Sequence, residues 1–205
     1  MTQTNTVNSE ADLLADIAEV YYLGLGRQKD YDRAFQYFRK AADMGHAYSL
    51  GMMGYFLEKG YGTGTDLNAA KVCYEQAFEY GDIEAGWHLG DLYKNGIPGS
   101  LPADESTAYN YYLKTLRRVE ENDDDWNAPE VYLRVGRCLF HGVDTEPDVA
   151  ASYDYFISAI EGYLERIESG DLACMEELDE AEEYAGMCEK ELKVEDRNTG
   201  INSPS

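Results

Sequence analysis

The stretch Leu57–Ala70, LEKGYGTGTDLNAA, decides how this chain is read. Three glycines and two threonines lead into an aspartate and then a run with helical spacing. Such a segment either cradles a phosphate or joins two helices. It lacks the Gly-Lys-Ser/Thr ending with which a phosphate loop reaches its phosphates and metal. It also recurs, because Gly60 and Gly62 stand in register with Gly24 and Gly26 of LGLGRQKD. A nucleotide site is not expected once per repeat, whereas a glycine-capped helix joint is.

Outward from this joint the register continues. Gly24, Gly60 and Gly96 follow one another at steps of 36, and Gly142 comes 46 later, across the insert VEENDDDWNAP. Six residues after Gly24, Gly60 and Gly142 stand Asp30, Asp66 and Asp148. The third unit has two extra loop residues in GIPGSLPADES, so its aspartate is Asp104 and its alanine Ala108, matching Ala34 and Ala70. Aromatic residues recur at Tyr37–Phe38, Tyr74, Tyr111–Tyr112 and Tyr155–Phe156. Ala85, Leu89, Gly90 and Tyr93 share one helical face, as do Ala70, Tyr74 and Ala77. Each Asp precedes a helical run, where its side chain accepts from free N–H groups.

Each unit is therefore a helix, a glycine joint and a second helix, and neighbours must stack to bury their faces. The spacing predicts first (A) helices over 10–23, 47–59, 83–95 and 129–141. It predicts second (B) helices over 30–44, 66–80, 104–121 and 148–168. Ser169–Gly170 breaks the chain. A last helix from Asp171 to about Leu192 carries Leu172, Met175, Leu178, Tyr184, Ala185, Cys188 and Leu192 on one stripe. Glu176, Glu177, Asp179, Glu182 and Glu183 form its wet face, which suits a cap on the open end of an array. The expected organisation is a tail at 1–9, a repeat array at 10–168, a capping helix at 169–193 and a tail at 194–205, both tails flexible.

Composition narrows the function classes. Forty acidic against 17 basic residues give a formal charge of −23, which repels nucleic acid and anionic membranes, and no strong basic patch offsets it. The N-terminus has no secretory pattern and no stretch is long enough to span a membrane. Cys73, Cys138, Cys174 and Cys188 show no metal-type pairing with the three histidines and read as buried free thiols in a reducing cytoplasm. No cofactor or metal is expected. His46, His88 and His141 lie apart from any recognisable nucleophile motif, so the expectation is a protein that is not an enzyme.

The pattern A-x-x-x-L-G-x-x-Y-x-x-G, then D, then A-x-x-W/Y-Y-x-x-A-A-x-x-G, resembles the Sel-1-like repeat, a relative of the tetratricopeptide repeat. AGWHLGDLYKNG, Ala85–Gly96, matches the first half, and DYDRAFQYFRKAADMG, Asp30–Gly45, nearly matches the second. The departures are Leu13, Ser49 and Val131 for Ala, Leu57 and Leu139 for Tyr, and Tyr163 for the closing Gly. The resemblance covers about residues 13–163 and implies an all-α, right-handed α-solenoid of about four repeats that binds partner proteins as an adaptor or scaffold. It transfers no catalytic residues.

The family relation places the A helices on the concave face. The residues it puts forward for contact are Glu19 and Tyr22, then Tyr48, Tyr55 and Glu58, then Trp87, Asp91, Lys94 and Asn95, and finally Arg137, Phe140 and His141. Trp87 is the foremost, because aromatic residues carry interface energy when buried centrally; packing against a neighbouring helix is the alternative. The acidic face suits a basic peptide or protein. An alternative function is an immunity-type inhibitor of a basic toxin or enzyme. The insert Val119–Trp126 lacks EF-hand spacing and reads as a solvated loop.

Overall fold

A computed structural model describes residues 9–124 and 126–200. The described residues form α1 (Glu10–Leu23), α2 (Tyr31–Ala42), α3 (Ala47–Lys59), α4 (Leu67–Glu79), α5 (Glu84–Asn95), α6 (Glu105–Asn122), α7 (Ala128–His141), α8 (Val149–Glu168) and α9 (Met175–Gly200). Apart from one antiparallel bridge between Ile97 and Leu101, the described residues contain no β-structure. The chain falls into two compact units, 1–103 and 104–205, divided within the loop of the third repeat.

The joints are built alike. Gly24, Gly60 and Gly142 take φ of 72°, 73° and 69°, the left-handed conformation that a side chain resists. The N–H of Gly60 donates to Phe56 O, and that of Tyr61 to the same carbonyl at 2.9 Å. Asp66 N then donates to Leu57 O at 2.9 Å, and Asp66 Oδ1 accepts from Ala69 N at 2.9 Å. Asp30, Asp104 and Asp148 cap α2, α6 and α8 in the same way. The segment quoted first is thus a joint, with these amides committed to closing α3 and these carboxylates to opening the B helices.

Small residues let the paired helices meet. In unit 1 the Tyr74 ring of α4 lies against Gly54 of α3, where an added Cβ would stand 2.7 Å from it. In unit 2 the Phe156 ring of α8 lies as closely on Gly136 of α7. Both glycines fall six residues before a joint glycine, and Ala18 holds that place in the first repeat, fully buried with Phe38. Phe56 centres the aromatic core of unit 1, with ring centroids 5.4 Å from Tyr22 and 5.5 Å from Phe38. Two buried hydroxyls are satisfied locally: Thr115 donates to Tyr111 O and Ser152 to Asp148 O, at 2.8 and 2.6 Å.

Where Gly45 and Gly81 follow the ends of α2 and α4, Tyr163 stands in α8, fully buried, and the helix runs on to Glu168, matching the expected 148–168. The last helix and the acidic insert depart from expectation. The last helix begins at Met175, four residues after Asp171, because Asp171 turns back to Arg166 (2.7 Å) and accepts from Ala173 N. Leu172 and Met175 are accordingly exposed, while Leu178, Ala181, Ala185 and Cys188 pack on Phe156 and Tyr163. Its backbone runs beyond Leu192 to Gly200, so only 201–205 of the second expected tail, with 1–8 of the first, lie outside the described residues. Val119–Asn122 of the acidic insert belong to α6, with Val119 buried, so the loop is shorter than expected.

Candidate functional site

In unit 1 the A helices build a pocket of about 220 Å³. Tyr22 comes from α1, Tyr48, Gly51, Met52 and Tyr55 from α3, and Glu84, Ala85 and His88 from α5. Tyr74 of α4 and Asp82 of the connecting turn complete the lining. The rings brace one another. Tyr22 meets Tyr55 edge-on at 6.4 Å, Tyr55 lies 6.0 Å from His88, and His88 stacks on Tyr74 at 4.8 Å.

Carboxylates surround these rings. Tyr74 donates to Glu58 Oε2 at 2.9 Å, and Glu58 lies 3.6 Å from His88 Nδ1. Glu19 hydrogen-bonds Tyr48, and burial followed by the Glu19 charge pushes the Tyr48 hydroxyl pKa well up. Burial likewise raises Tyr22 and Tyr74. Asp82 Oδ1 accepts from Ala85 N at 3.0 Å, while Oδ2 lies directly over Gly51, leaving no room there for a side chain. Burial lifts the Asp82 carboxyl to about 6, against the pull of the Ala85 and Glu84 amides. Lys59 stands by Glu58, 2.5 Å from Nζ to Oε1, with its ammonium 5.6 Å from the Tyr55 ring centre.

The structure therefore places Tyr22, Tyr48 and Tyr55 in the lining of one pocket, with Glu19 beside Tyr48 and Glu58 beside Tyr74. It places Trp87 otherwise. Trp87 is 6% exposed, on a helix whose buried residues also include Ala85, Gly86, Leu89, Gly90 and Leu92. With so much of α5 covered, a position that varies in the repeat pattern is still interior, and packing is the role observed. His88, the next residue, holds the pocket position. Asp91 and Lys94 are half-buried on α5, and Asn95 borders the Gly96–Ala103 loop.

In unit 2 the remaining three residues meet α9. Arg137 Nη1 donates to Glu180 Oε1 at 2.7 Å, Phe140 packs edge-on against Tyr184 at 5.6 Å, and His141 Nε2 lies 3.3 Å from the Tyr184 hydroxyl. They were expected to await a partner; the chain's own last helix engages them instead, because its apolar stripe needs cover.

Two features escaped the sequence reading. Asp82 stands 22 residues after Gly60, as His46 stands 22 after Gly24, and both cap an A helix, so the register carried the signal. Around the stacked Tyr21–Tyr37 pair, Arg27 and Arg33 cover Tyr21 and Lys40 covers Tyr37, with Asp30 pairing Arg33. This small cationic cluster joins α1 to α2 in a chain that otherwise reads as uniformly acidic.

The Sel1 repeat pattern matches residues 11–46, 47–82, 83–117 and 129–163, which reproduces the 36, 36 and 46 steps. The chain belongs to the Sel1 repeat family. Repeats of this family are protein-interaction modules, and the four matched segments span both units. Over 88 residues the chain is 38% identical to a chitin synthase regulator SKT5 of Malassezia restricta, covering 42% of this chain and 6% of that protein. Over 72 residues it is 36% identical to an ERAD-associated E3 ubiquitin-protein ligase component, HRD3B, of Arabidopsis thaliana, covering 35% of this chain and 12% of that protein. It thus spans a small fraction of these curated relatives. The crystal structure of a Sel1 repeat protein from Oxalobacter formigenes shares the fold, with a TM-score of 0.62, 24% identity, and coverage of 81% of this chain and 61% of that one.

Among the described residues, no helix is long and apolar enough to cross a membrane, and no three His, Cys, Asp or Glu side chains converge as metal ligands would. Burial raises the thiol pKa of Cys73, Cys174 and Cys188.

Proposed function

We propose that this Sel1 repeat chain is a non-enzymatic adaptor whose A-helix face in unit 1 holds a basic segment of a partner polypeptide. The observation that carries this reading is the pocket itself: an opening walled by Tyr22, Tyr48, Tyr55 and His88 and ringed by Glu19, Glu58, Asp82 and Glu84. Tyrosine offers contact area at small entropic cost, and charge of one sign steers a partner of the other. The net charge of −23 favours a polypeptide over nucleic acid or an anionic membrane. Free cysteines, three of them buried, suit a reducing compartment such as the cytoplasm.

The test is direct binding by fluorescence anisotropy to labelled peptide pools, one rich in Lys and Arg and one in Asp and Glu. Basic peptides bind, binding weakens at least tenfold between about 50 and 300 mM salt, and Asp82→Lys abolishes it. Equal binding of both pools, or indifference to salt and to Asp82→Lys, refutes the reading.

A further inference from the structure

We propose that the unit 1 pocket is a socket for a single cationic side chain, a Lys or Arg of the bound segment. This rests on the function proposed above and specifies its site. At about 220 Å³ the pocket is smaller than a typical drug-sized ligand site and suits one side chain rather than a folded element or a cofactor. Its walls are ring systems, and its acidic groups come from α1 (Glu19), α3 (Glu58), the turn before α5 (Asp82) and α5 itself (Glu84). Aromatic faces around a carboxylate suit an ammonium or guanidinium, whose alkyl stem lies on the rings while the charge meets oxygen.

Three observations separate this from a merely structural arrangement. First, Asp82, which accepts from the Ala85 and Glu84 amides at the start of α5, lays Oδ2 over Gly51, in a pocket that Asp82 and Gly51 both line. Gly51 lacks the Cβ that would displace that oxygen. Second, the acidic groups come from four separate segments, so the negative charge is spread around the walls, which suits a flexible cationic side chain. Third, the chain already shows the recognition once. Lys59 sets its ammonium between the Glu58 carboxylate and the Tyr55 ring. The same pair of groups, carboxylate and tyrosine, recurs inside the pocket with Asp82 and Tyr48.

The experiment is an amide NMR titration of the full chain with three small probes: Nα-acetyl-lysine amide, Nα-acetyl-arginine amide and, as the uncharged counterpart, Nα-acetyl-norleucine amide. The cationic probes give saturable shifts at Gly51, Tyr55, Asp82–Ala85 and His88, and norleucine gives none. Asp82→Asn, which keeps the cap, weakens the cationic probes at least tenfold; Asp179→Asn, the same charge change at an exposed α9 position, leaves them unchanged. Which cationic probe binds tighter assigns the socket to Lys or Arg. Shifts scattered over the surface, equal binding of norleucine, or equal loss in Asp82→Asn and Asp179→Asn overturns the proposal. If basic peptides bind the protein but Asp82→Asn and Tyr55→Leu leave that binding intact, the socket fails and the adaptor reading stands. If the probes bind as described and no basic peptide does, the socket stands and the adaptor reading fails.

Discussion

Replacing Asp82 by Asn isolates what the pocket costs the fold. A carboxyl whose pKa moves from 3.8 to about 6 prefers its protonated form in the folded chain by about 3 kcal/mol. Between those values the folded state holds a proton that the unfolded state has released. Stability therefore falls as pH rises through this window, and the whole loss is in place above about pH 7. Asn keeps the cap, since it serves at a helix start as well as Asp does, and it carries no charge to desolvate. Asp82→Asn is expected to stabilise unit 1 by about 2–3 kcal/mol at pH 8 and by under about 0.5 kcal/mol at pH 4.

Other polar and charged groups surround Asp82, namely Glu84 and His88 of α5, Glu58 of α3 and Glu19 of α1. Their contributions recur in both proteins, so the difference between variant and wild type reports mainly on Asp82. The tyrosines of the pocket stay neutral throughout, because burial raises Tyr22, Tyr48, Tyr55 and Tyr74 above the usual phenol range. Urea unfolding followed by far-ultraviolet circular dichroism from pH 4 to 8 gives the comparison. A variant destabilised at pH 8, or stabilised equally at both ends, refutes the reasoning: the carboxylate would then be a net structural asset, or its burial would not be what sets its pKa.

Three further outcomes follow from the packing. Gly54→Ala and Gly136→Ala each lower stability by about 1–2 kcal/mol in urea unfolding despite the better helix propensity of Ala, because the Tyr74 and Phe156 rings stand 2.7 Å from the new methyl. Arg166→Ala lowers the stability of unit 2 by about 3 kcal/mol, since it strips Asp171 and one oxygen of Glu130 of a largely buried partner. In an NMR titration of the same variant the Asp171 carboxyl pKa, held low chiefly by its bond to Arg166, returns upward.

The repeat was legible because it is written in the residues least free to change. A left-handed turn selects glycine, a helix start selects aspartate, and close approach of two helices selects Ala or Gly. These local demands fixed the joints and the pairing of A with B helices. The pocket was only half legible. Tyr22, Tyr48, Tyr55 and Glu58 fall on the A-helix positions that the pattern leaves open, and those positions line or border the pocket. Trp87 was misplaced because a variable position shows that the repeat does not dictate a residue, not that solvent reaches it. Asp82 was missed because it closes the second repeat, at a place where the register sets a helix cap but only burial beside α3 and α5 raises its pKa. The start of α9 was misjudged for a related reason: Asp171 reads as a helix cap, but Arg166, five residues earlier, claims its carboxylate.

Corresponding positions in the two units make the case for what the A-helix face does. Five and two residues before the joint glycine stand Tyr55 and Glu58 in the second repeat, and Arg137 and Phe140 in the fourth. In unit 2 these positions receive an acidic helix, with Arg137 on Glu180 and Phe140 on Tyr184. The face thus binds a polypeptide segment within the chain, an aromatic contact fixing the position and an ion pair the sign. In unit 1 the ring and the charge exchange places along the helix, and the charge is negative. Complementarity then asks for a segment of the opposite kind to α9, carrying cations where α9 carries glutamates. Within unit 2 the Arg137–Glu180 pair docks the acidic last helix on its own repeat, and the opposite sign of the charges around the unit 1 pocket supports the proposal of a basic partner there.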